Sequence, residues 1–112
     1  MTKQMVLVLT EPTEGKEDEF NEYYEHLHLT EVLSSTELKS AQRYQLIDQV
    51  GEDCPLPYLA LYEGDSSDTA SFIANLNETR SQRQQSDSLN KRTARIWVFE
   101  AIGPEHHESG HG

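Results

Sequence analysis

An α+β domain with the element order β-α-β-β-α-β is the fold the sequence predicts, and three observations carry it. Short apolar runs of strand length open and close the first hundred residues. Two stretches free of Gly and Pro, with helical spacing, alternate with them, and a length of 112 residues allows a single domain only.

Residues 5–9, Met-Val-Leu-Val-Leu, form a continuous apolar run that ends at a turn-rich Thr-Glu-Pro-Thr-Glu-Gly, and they read as a buried strand. Residues 16–33 carry acidic side chains in their first turns, where the helix dipole favours them, and strong helix formers throughout; we read one long helix. In residues 39–48, Gln42, Tyr44 and Leu46 alternate with Arg43, Gln45 and Ile47, a strand followed by Gly51 and the Pro55-Leu56-Pro57 loop. Residues 58–63 are a further strand, stopped at Gly64, after which Ser or Asp can cap a helix. Residues 68–80 place Phe72, Ile73 and Leu76 at helical spacing, residues 81–90 are a polar loop or frayed extension, and residues 93–102 are the last strand. Gly103-Pro104 ends the domain at residue 104, and residues 105–112 form a flexible tail with nothing to bury.

This order is the split β-α-β pattern of a ferredoxin-like fold, with both helices on one face of a four-stranded antiparallel sheet. On the other face one register collects Tyr58, Tyr62, Trp97 and Phe99, too apolar to leave in water. A homodimer packed face to face into an α+β barrel answers that need, and a core drawn from only 35% apolar residues gains from the added burial.

Nine Lys and Arg stand against 20 Asp and Glu, a formal net charge of -11, so neither nucleic acid nor an anionic membrane is an expected partner. The lone cysteine, Cys54, rules out an intramolecular disulfide and fits a reducing, cytoplasmic setting. The opening apolar run is too short for a signal-peptide core or a membrane span. No phosphate-binding glycine loop, nucleophile elbow or zinc motif occurs, and no metal or cofactor is expected.

Chemistry concentrates on the first predicted helix. At about 100° per residue, Phe20, Tyr24, Leu27, His28 and Glu31 share one stripe. Its early part is an ordinary core face, but its last turns place an imidazole and a carboxylate where Leu or Val would pack better. Ionisable groups are buried only with partners, so Tyr24, His28 and Glu31 point to a polar pocket between helix and sheet. An imidazole with an ordinary pKa of about 6.5 exchanges protons near neutrality, and the carboxylate is expected to fix its tautomer and keep it protonated longer. A satisfied core histidine fits the same spacing. His26 falls on the solvent side.

Residues 20–33, Phe-Asn-Glu-Tyr-Tyr-Glu-His-Leu-His-Leu-Thr-Glu-Val-Leu, with Ser-Ala-Gln-Arg-Tyr-Gln-Leu at 40–46 and Trp-Val-Phe-Glu-Ala-Ile-Gly-Pro at 97–104, resemble the EthD-like branch of the dimeric α+β barrel proteins. The resemblance covers most of residues 5–104 and centres on Tyr24-x-x-x-His28-x-x-Glu31 followed by Ala41-Gln42-Arg43-Tyr44. It implies a homodimeric barrel with a cofactor-free pocket in which the helix histidine, here His28, does acid/base work. Some members of that branch dehydrate polycyclic polyketide intermediates, and related barrels include cyclases, isomerases and monooxygenases. Thr30 stands where members commonly have Pro, and Thr36-Glu37-Leu38 replaces a Pro-Gly-Phe turn, which reshapes the helix exit and the pocket rim.

The expected function is therefore a cofactor-independent lyase or isomerase, dehydratase- or cyclase-like, acting on a small-molecule substrate that is a hydrophobic aromatic or polyketide-like carbonyl compound. His28 is the expected proton shuttle, Tyr24 the donor to the substrate oxygen and Glu31 the group that orients the imidazole. Arg43 and Arg95 are candidates to hold a substrate anion, and Tyr44, Tyr62 and Trp97 to wall a flat ligand. Asp87 is a candidate to close over the pocket mouth, and His106, His107 and His111 can bind a stray cation weakly. The alternatives are a cofactor-free monooxygenase of the same superfamily and a non-catalytic binding dimer.

Overall fold

The computed structural model describes residues 2–80, 83 and 85–108. Alternation of inward Gln4, Val6 and Val8 with outward Lys3, Met5 and Leu7 carries strand β1 past the five-residue apolar run, and it spans Thr2–Thr10. A helical stretch follows in three pieces: α1 (Glu17–Tyr23), a π-helical segment (Tyr24–His28) and α2 (Leu29–Ser35). Strands β2 (Leu38–Gln45) and β3 (Tyr58–Ser66) come next, then helix α3 (Thr69–Glu78) and strand β4 (Arg95–Glu100).

The predicted element order holds, with ends displaced by a few residues. Asp68 is the cap of α3: its carboxylate accepts from the Ala70 amide at 3.0 Å and from the Ser71 hydroxyl at 2.8 Å. Strand β3 continues through Gly64 rather than stopping there. A Cβ at Gly64 would stand 3.1 Å from the Glu37 carbonyl oxygen, so the missing side chain is what lets the chain pass from α2 into β2 against this strand.

All strand pairings are antiparallel, in the order β2-β3-β1-β4, an arrangement compatible with a ferredoxin-like fold. Phe20, Tyr24, Leu29 and Val32 from the first helical stretch and Phe72 from α3 bury against Val6, Ala60 and Tyr62 on one sheet face. No helix among the described residues is long and apolar enough to cross a membrane.

Two expectations about facing need correction. Val6 pairs with both Tyr62 and Val98, which places Tyr62 on the helix side, and Tyr58, four residues earlier on β3, lies there too. The opposite face instead collects Met5, Leu7, Leu61, Trp97 and Phe99, with Tyr44 beside them on β2. It is indeed uncovered, since Trp97, Phe99 and Tyr44 are 43%, 52% and 44% exposed.

The second correction comes from the π-helical segment. The Leu29 amide donates to the Tyr24 carbonyl, five residues back, so one extra residue is accommodated in that turn. The helix phase shifts accordingly, and Leu29 rather than Leu27 enters the core. Residues 105–108 are exposed and irregular, while His111 and the rest of the expected tail, like positions 81, 82 and 84 of the expected polar loop, lie outside the described residues.

Candidate functional site

A cavity of about 220 Å³ lies between the helices and the inner sheet face, and His28, Tyr24 and Tyr62 are among the side chains that line it. Its apolar wall includes Val6 and Val8 of β1 and Ile96 and Val98 of β4, while Ile73 and Leu76 of α3 close it from above. Gln85 and Leu89 come from the segment after α3, which is tied to the β1-α1 loop. There the Thr13 amide donates to the Ser88 carbonyl at 2.7 Å, the Asn90 amide to the Glu11 carbonyl at 3.1 Å, and Lys16 meets the Asp87 carboxylate at 2.8 Å. Asp87 thus belongs to the segment tied to the β1-α1 loop, with its carboxylate engaged by Lys16 rather than lining the cavity.

The π-helical turn sets the geometry around His28. Residues five apart on a regular helix are separated by about 140°, yet here Tyr23 Oη lies 3.0 Å from His28 Nδ1 and the two rings stack with centroids 5.3 Å apart. Tyr24 meets the same imidazole edge-on, at 4.8 Å. Burial pushes the imidazole pKa down to about 4; the Arg83 guanidinium adds to that shift and Glu31 opposes it. The expectation that a carboxylate would keep His28 protonated is therefore overturned, because loss of hydration and a nearby cation outweigh Glu31. At neutral pH the ring is uncharged.

The two phenols behave in the opposite sense. Burial raises the Tyr24 hydroxyl to about 12 and drives the Tyr62 hydroxyl higher still, so both remain protonated donors. The two hydroxyls perturb one another, and Tyr62 Oη is fully buried with Tyr24 as its polar neighbour. The Tyr62 hydroxyl thus lies behind the cavity wall, beside the Tyr24 hydroxyl, rather than open to the cavity itself.

Two cationic residues of this cavity were not singled out in the sequence. Arg83 is half-buried and its Nη1 donates to Ser35 Oγ and Thr79 Oγ1, both at 3.1 Å; Arg80 lines the same cavity at the end of α3. Their spacing in an otherwise acidic chain was the available signal. Tyr23 was missed for a different reason, since regular helical spacing turns it away from His28.

The other candidates fall elsewhere. Arg43 sits on the inner face of β2 but outside the cavity wall, where its Nη2 donates to Asn21 Oδ1 at 2.7 Å and its guanidinium lies 5.3–5.7 Å from the ring centres of Phe20, Tyr24 and Tyr58. It closes one end of the core. Tyr44, Arg95 and Trp97 are on the uncovered sheet face, away from His28. A wider hollow of about 780 Å³ lies near Phe99 and the tail, but its Lys3 already contacts Glu63 and Glu105, at 3.7 and 3.5 Å, and it contains no partnerless buried donor. His107 lies 3.3 Å from Glu105, and no group of three or more His, Cys, Asp or Glu among the described residues is arranged to hold a metal ion.

Comparison of the chain with models of known protein families, with curated proteins and with solved structures returns no match.

Proposed function

We propose that the protein is a lyase or isomerase, dehydratase- or cyclase-like, that works without a cofactor on a small hydrophobic carbonyl compound held in the His28 cavity. The observation that carries this reading is an uncharged, buried imidazole with its Nδ1 fixed by Tyr23, in one cavity with two phenols that stay protonated. This reading takes the tautomer in which Nδ1–H donates to Tyr23 Oη, which leaves Nε2 as the basic nitrogen. It removes a proton alpha to the carbonyl, Tyr24 donates to the oxygen as the enolate forms, and the imidazolium returns its proton to a departing hydroxyl or to another carbon. A base this weak suits a proton made acidic by conjugation, and the imidazolium it becomes is a strong acid for expelling water.

Support also comes from the resemblance of residues 20–33, 40–46 and 97–104 to the EthD-like proteins. Within the same reading a second copy of the chain covers Trp97, Phe99 and Tyr44 and closes an α+β barrel.

The test is to incubate purified wild type and His28→Ala, each checked for folding, with a metabolite extract and follow all small molecules by mass spectrometry. A compound consumed by wild type only, with loss of water or no change in mass, is the expected result. Equal consumption by both proteins would sink the role of His28, and ligands recovered unchanged from wild type with nothing consumed would make this a binding protein.

A further inference from the structure

Charge is distributed across this molecule in a way that the acid/base chemistry does not require. The chain has 20 acidic residues, yet among the described residues none lines the cavity, whereas Arg80 and Arg83 both do. Neither guanidinium forms a salt bridge with a carboxylate among the described residues; Arg80 binds the Asn77 side-chain oxygen, and Arg83 binds two hydroxyls. Hydroxyl and amide oxygens fix the direction of a guanidinium without neutralising it. The two cations also act on each other: burial and the neighbouring Arg80 hold Arg83 below its ordinary pKa, an effect that Glu31 opposes only in part and that a further anion beside them would reduce.

Most of the remaining wall is apolar, Val8, Leu76, Ile96 and Val98 among it, with Thr10, Asn77 and Gln85 as further polar members, and the space of about 220 Å³ falls below the usual range for drug-sized ligands. It has room for a single ring or a short branched chain.

Resting on the acid/base reading of the same cavity, we infer that the substrate is a small organic carboxylate: an apolar, one-ring-sized body whose carboxylate lies against Arg83 and Arg80. Arg83, held in place by Ser35 and Thr79, supplies planar two-point recognition that a lysine would not reproduce, and Arg80 at the more exposed end adds attraction on entry. The arginines thus select the charge and the apolar wall selects the body.

Isothermal titration of the full chain with trans-cinnamate and with its uncharged isostere cinnamamide separates these contributions. Wild type should bind the acid about tenfold more tightly than the amide. Arg83→Gln should abolish that preference, Arg83→Lys should keep part of it, and His28→Phe should leave the ratio in place. Equal binding of acid and amide by wild type, a preference that survives in an R80Q/R83Q double variant, or no binding of the acid would each overturn the carboxylate assignment. None of these outcomes decides the fate of the acid/base reading, which stands or falls on turnover of extract compounds by His28→Ala.

Discussion

The Tyr23 hydroxyl lies 3.0 Å from Nδ1 of His28, five residues ahead of it, and the π-helical turn between Tyr24 and His28 is what makes that contact possible. The contact sets which imidazole nitrogen is left to face a ligand, so Tyr23 is a positioning residue. Tyr23→Phe keeps the ring and loses the hydroxyl. It should leave the fold unchanged, lower kcat about tenfold, and move the acidic limb of the kcat/KM profile, which a purely structural role would not move.

His28 also links stability to pH. In the unfolded chain its imidazole takes a proton as pH falls through about 6.5, but in the folded protein only near about 4. Between those values the unfolded state binds more protons. The stability is therefore fully present above pH 6.5 and is lost as pH falls toward 4, by an amount on the order of 2–3 kcal/mol. Denaturant titrations from pH 7 to 4 should show His28→Phe losing less stability than wild type by roughly this margin; parallel losses would mean that the imidazole is not held neutral.

The same imidazole reports on the charges around it. Arg83 lowers its pKa and Glu31 raises it, so Arg83→Gln should shift the His28 ring resonances to titrate at higher pH and Glu31→Gln to lower pH. Saturating cinnamate, by neutralising Arg83, should act in the direction of Arg83→Gln. No movement with either substitution would refute the electrostatic account.

On the uncovered sheet face, Trp97 and Phe99 are about half exposed and adjoin Met5, Leu7 and Leu61. If a second copy covers them, sedimentation equilibrium should give a dimer for wild type. Trp97→Glu, which buries a charge in that contact, should weaken the dimer by at least a hundredfold, in keeping with an anchor residue at an interface centre. A monomeric wild type at micromolar concentration would rule the barrel out.

What could be read from the sequence was whatever depends on periodicity. The continuous apolar run of residues 5–9, the alternation in 39–48, the strand-length run at 93–102 and the helical spacing of Phe20 with Tyr24 placed the main elements and brought His28 and Tyr24 to a helix-sheet cavity. Periodicity could not say which sheet face each strand presents, because a single-residue change of register exchanges them; that is how Tyr58 and Tyr62 were put on the wrong side. It also assumed 100° for every residue, which removed Tyr23 from the site and put Leu27 in the place of Leu29. Arg83 follows α3 in a polar stretch, and only the fold shows that it lines the cavity with its guanidinium on Ser35 and Thr79.

Because the π-helical turn from Tyr24 to His28 brings together two residues five apart, the site is written in the number of residues as much as in their identities. Point substitutions can weaken the pair one group at a time. Removing a single residue between Tyr23 and His28 would allow a regular helix to re-form with the two rings four residues and about 40° apart, so the pair would survive, whereas straightening the turn at its present length would part them by about 140°. Length and turn geometry are therefore matched here: a chain one residue shorter with a regular helix would present the same pair as this chain does with its π-helical turn.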